Sequence, residues 1–65
     1  MDTRAIKILL IKNDISQAEL ARRIGITPRS LSQKMTGKQK LWLNEAIAIC
    51  KELEIDDPIP IFFNK

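Results

Sequence analysis

Between Leu20 and Asn44 the chain carries Arg22, Arg23, Arg29, Lys34, Lys38 and Lys40 and not one acid. A run of guanidinium and ammonium groups suits an anionic partner. The acids gather later, as Glu45, Glu52, Glu54, Asp56 and Asp57, so one end of the molecule is expected to be basic although the net charge is only +3. A solvated face would be the plain account of such a run, but this one falls on a patterned stretch, Gln17 to Gly37. Other chemistry finds little support. There is no His and a single Cys, Cys50, which rules out a disulfide framework and leaves no ligand set for a metal. No paired inward carboxylates, nucleophile elbow or phosphate-cradling glycine loop is present, so neither an enzyme nor a cofactor is expected. Two Phe and one Trp are too few for the stacking surface of an RNA binder.

The elements that must position these cations read as helices throughout. A chain of 65 residues has room for one domain, and 45% hydrophobic residues is an ordinary share for a globular one. Ala5, Ile6, Leu9 and Leu10 form a helical stripe from about Asp2 to Asn13, with Ile8 and Ile11 as extra apolar positions. Ser16-Gln17-Ala18-Glu19 reads as a capping box for a second helix, with Ile15 at the staple position and Leu20, Ala21 and Ile24 inward. Gly25 supplies the left-handed residue that stops it. Thr27 caps a third helix and Pro28 opens it, where the missing N–H is harmless. Leu31 and Met35 face the core, and Gly37 ends the helix. A basic loop, Lys38-Gln39-Lys40, leads to a fourth helix from about Leu43 to Leu53, with Ala46, Ile49, Cys50 and Leu53 inward. Pro58 and Pro60 then allow at most a short turn, followed by the apolar Ile61-Phe62-Phe63. No signal peptide and no membrane span is visible, and a reducing, cytoplasmic location fits the lone cysteine.

The string Gln17-Ala18-Glu19-Leu20-Ala21-Arg22-Arg23-Ile24-Gly25-Ile26-Thr27-Pro28-Arg29-Ser30-Leu31 resembles the helix-turn-helix of the phage repressor and Cro family. A Gln opens the second helix, Leu-Ala sits at its middle, Gly is in the turn and Thr caps the next helix, all without a gap. Leu41-x-Leu43-x-Glu45 and the Ile-Phe-Phe pattern are similar to short regulators of phages of Gram-positive bacteria. The resemblance implies an all-α, compact, four- to five-helix domain of the lambda-repressor type over residues 1–65, with the motif at 17–37 and an apolar tail at 58–63. Two features fit it independently. Gly25 allows a tight turn, and small Ala21 lets the two helices approach at the corner, so that the third helix can enter a major groove.

Carried over by position, the resemblance makes Pro28, Arg29 and Gln33 the residues that face base edges. Arg29 would fork onto guanine O6 and N7, and Gln33 would pair with an adenine. Pro28 departs from the family's frequent Gln and offers only a contact to a thymine methyl. Ser30 and Ser32 are candidates for a base or phosphate. Gln17, Thr27, Thr36, Lys38 and Lys40 would hold phosphates. Arg22 and Arg23 read as solvated. Trp42 would cover the start of the fourth helix or rest on the sugar-phosphate backbone.

The resemblance further implies a sequence-specific regulator of transcription, most simply a Cro-like repressor that acts by occupying its operator, with no small-molecule effector. The operator would be a pseudo-palindrome in double-stranded DNA, bound by a weak homodimer formed mainly on the DNA. Ile59, Ile61 and Phe63 would meet their symmetry mates while Phe62 folds back on the first helix. The same scaffold also serves as a protein-interaction module such as an antitoxin or antirepressor, and the apolar tail would then be the partner surface.

Overall fold

The computed structural model describes residues 1–63, and the side chains of 1–62. Four helices follow in order: α1 (Thr3–Lys12), α2 (Gln17–Ile24), α3 (Pro28–Met35) and α4 (Leu43–Leu53). A last helical turn spans Ile59–Phe63, and no strand occurs among the described residues. Each boundary has a local chemical cause. The Asp2 carboxylate accepts from the Ala5 N–H at the start of α1, Ser16 Oγ from Glu19 N–H at α2, and Thr27 Oγ1 from Ser30 N–H at α3. Gly25 ends α2 at φ 85°, where a side chain would strain the backbone.

The expected capping box at α2 is only half made. Glu19 does not reach back to the Ser16 N–H. Its two carboxylate oxygens instead take Arg22 Nη2 at 2.8 Å and Arg23 Nε at 3.1 Å. A charged donor one helical turn away outcompetes an exposed amide that water can serve. The reciprocal arm of a box appears at α4, where the Glu45 carboxylate accepts from the Trp42 N–H at 2.9 Å.

The helices close on a core of Ile6, Leu10, Leu20, Ala21, Leu31, Met35, Ile49 and Leu53, all buried. α2 packs on both α3 and α4, and the terminal turn packs on α1. Ile61 and Phe62 lie half-buried against this core, and the Asp2 N–H donates to the Ile61 carbonyl. Thr3 Oγ1 donates to the Met35 carbonyl at 3.0 Å, so the start of α1 closes the end of α3. Ile8 and Ile11 stay exposed on the outside of α1. Cys50, expected inward, is only half-buried, and burial pushes its thiol pKa up. Among the described residues no helix is long and apolar enough to cross a membrane.

Candidate nucleic-acid interface

The geometry of α3 separates its residues cleanly. Leu31, Lys34 and Met35 are buried, whereas Pro28, Arg29, Ser32 and Thr36 are exposed and Gln33 is half-buried beside them. The exposed set recurs at helical spacing and therefore forms one face. Gly25 ends α2 in the left-handed conformation, and the Thr27 cap opens α3 two residues later.

Lys34, counted among the cations of the basic run, is not on the surface. Its side chain is only 7% exposed, and Nζ lies 3.2 Å from Glu45 Oε1. The same ammonium donates to the Lys40 carbonyl at 3.0 Å. Lys34 thus ties α3, the basic loop and the start of α4 together, because a cation withdrawn from water must find an anion and acceptors. Arg22 and Arg23 are exposed, as expected of solvated residues, but both are paired with Glu19. Arg23 also lies 3.6 Å from Glu52. These guanidiniums hold the Glu19 carboxyl below its ordinary pKa, Arg22 more than Arg23.

Arg29, Lys38 and Lys40 make no ion pair among the described residues. All three are exposed and lie on or just beyond α3. Lys40 Nζ sits 4.7 Å from the centre of the Trp42 ring, a cation–π contact that holds the ammonium in place. Trp42 occupies the N-cap position of α4 and is 56% exposed, so it serves as a platform for Lys40 more than as a cover for the helix.

The phosphate candidates divide by what their donors already do. Gln17 is the first residue of α2, where backbone N–H groups have no intrahelical partner. Thr27 accepts with its oxygen from Ser30 and keeps its hydroxyl proton for another group. Thr36, in contrast, donates its hydroxyl to the Gln33 carbonyl at 3.2 Å and its N–H to the Ser32 carbonyl at 3.1 Å. Ser32 is exposed on the same helix as Arg29. Ser30 is half-buried and donates to Gln39 Oε1 at 3.2 Å.

Gln39 is not among the residues that the sequence places at the site. It bridges Ser30 and Gln33, and the Lys38 and Gln39 N–H groups both donate to the Gln33 carbonyl. Nothing local in Lys38-Gln39-Lys40 signals this contact, since it depends on how the loop folds back after Gly37. Of the tail residues, Ile59 is 63% exposed while Ile61 packs on its own core. The Phe63 side chain lies outside the described residues.

The family model for the Cro/C1-type HTH DNA-binding domain matches residues 5–58. The chain belongs to that family. It is a DNA-binding domain with the fold that the motif implied, and its ligand class is double-stranded DNA. No curated protein and no solved structure is a match.

Proposed function

We propose that the protein regulates transcription by occupying a specific operator, in the manner of a Cro-type or phage-type repressor in the bacterial cytoplasm. One observation carries this reading: the exposed face of α3 and the loop behind it bring together three exposed cations that no acid has claimed among the described residues, Arg29, Lys38 and Lys40. Arg29 is the base reader, with Pro28 and Gln33 beside it and Ser30 and Ser32 on its flanks. Gln17, Thr27, Lys38 and Lys40 hold the phosphates on either side, and Thr36 contributes once its hydroxyl turns outward. A single α3 reads too few base pairs to select one site in a genome, which favours two copies on a pseudo-palindrome. Exposed Ile59, together with exposed Leu43 and Ile47 on α4, supports a small apolar contact between copies.

The test is selection of bound sequences from random duplex DNA, followed by footprinting and a salt titration. A two-fold repeat in the selected sequence and a protected stretch of two half-sites are expected. The Lys38→Ala/Lys40→Ala double variant should bind all sequences more weakly, with the salt slope reduced by about two units, one for each phosphate no longer neutralised. A footprint over a single half-site would defeat the dimer, and an unchanged slope would place both lysines in solvent. The absence of any shift on duplex DNA at low salt would favour a protein-interaction module.

A further inference from the structure

Gln39 touches two polar side chains of α3, Ser30 and Gln33. Its Oε1 accepts from Ser30 Oγ at 3.2 Å, and its Nε2 donates to Gln33 Oε1. The Gln33 backbone is held by the same loop, its carbonyl accepting from Lys38 N–H at 2.9 Å and Gln39 N–H at 3.2 Å. Gln33 is therefore fixed at its backbone and at one end of its amide. A primary amide has one acceptor end and one donor end. Here the acceptor end is engaged by the loop, which leaves the Nε2 donor for an outside acceptor. Such a donor suits the major-groove acceptors of guanine (O6, N7), adenine (N7) and thymine (O4), whereas cytosine offers only its N4 amine, itself a donor.

We propose that Gln39 is a positioning residue that sets which base Gln33 reads. By holding Gln33 Oε1 toward the loop it presents the amide nitrogen to an acceptor on guanine, adenine or thymine and disfavours cytosine. The inference rests on α3 being the base-reading helix. Ser30 belongs to the same device, because its hydroxyl orients the Gln39 amide.

The experiment measures binding to four duplexes that differ only at the base pair whose preference disappears in Gln33→Ala. Wild type should favour guanine, adenine or thymine over cytosine there by about tenfold. Gln39→Ala should abolish that preference at the same pair, and the double variant should show no larger effect than either single one. Gln39 is exposed, so the thermal midpoint and the salt slope should stay where they are. Gln39→Glu offers only acceptors, so Gln33 must turn its nitrogen inward and its oxygen outward. The preference should then move to adenine or cytosine, whose exocyclic amines donate. Equal weakening on all four duplexes by Gln39→Ala, or an unchanged base choice in Gln39→Glu, would overturn the proposal. A wild type that selects no sequence at all defeats the base-reading role of α3 and this inference with it. A wild-type preference indifferent to Gln39 defeats this inference alone.

Discussion

α2 and α3 are both eight residues long, both open on a hydroxyl cap and both carry two cations, yet they treat those cations in opposite ways. In α2 a single carboxylate, Glu19, gathers Arg22 and Arg23. α3 has no acid of its own. Its Lys34 is drawn inside to Glu45 of α4, and its Arg29 has no ion-pair partner among the described residues. Equal numbers of cations thus give one helix that is locally neutralised and one that presents a guanidinium ready for an external acceptor. What selects the face that meets an anion is the placement of acids, more than the number of bases.

The largest effect should come from disturbing the inward cation. Lys34→Met leaves the Glu45 carboxylate, whose side chain is 12% exposed, without its ammonium. The loss of stability should be about 3 kcal/mol, read from the shift of a urea unfolding midpoint. If Lys34→Met kept its stability and lost DNA affinity instead, Lys34 would belong with Arg29 and the contrast within α3 would collapse. Next comes Arg29→Ala, which should weaken binding to the selected operator by about 1–3 kcal/mol and relax one base pair, with no change in melting temperature. Equal losses on operator and random DNA would make Arg29 a phosphate contact.

The smallest effect sharpens the α2 side. The Arg22 and Arg23 guanidiniums lower the Glu19 pKa from its ordinary 4.5. A carboxylate with a depressed folded-state value stabilises the fold above its unfolded value, and that contribution disappears as pH falls through the depressed one. Melting temperature should therefore drop slightly more steeply below about pH 4.5 in wild type than in Glu19→Gln. The pair is exposed, so the difference stays small. Superimposed pH profiles would mean that Glu19 does nothing for stability and only screens Arg22 and Arg23 from phosphate.

Much of the architecture is legible in the sequence because it is decided within a few residues. Ser16, Thr27 and Gly25 each act on backbone groups no more than a turn away, and each sits where the pattern places it. The inward stripe of α4 follows for the same reason and departs from its pattern only at Cys50. The departures concern choices between competing partners that distance along the chain conceals. Glu19 can serve a backbone amide or two arginines, and the arginines win on charge. Lys34 reads as one more member of a basic run, but its position on α3 is between Leu31 and Met35, on the inward side. Its partner Glu45 is supplied by another helix. Gln39 reads only as loop, because its bridge from Ser30 to Gln33 exists only after the chain has turned at Gly37.

The Trp42 ring, the only indole in the chain, lies directly under the Lys40 ammonium. Any phosphate that draws Lys40 off the ring changes the electric field and the hydration that the indole senses. The chain therefore carries an intrinsic fluorophore at one edge of its proposed contact. Arrival and departure of DNA can be followed in real time through tryptophan emission, without a label that would disturb so small a domain.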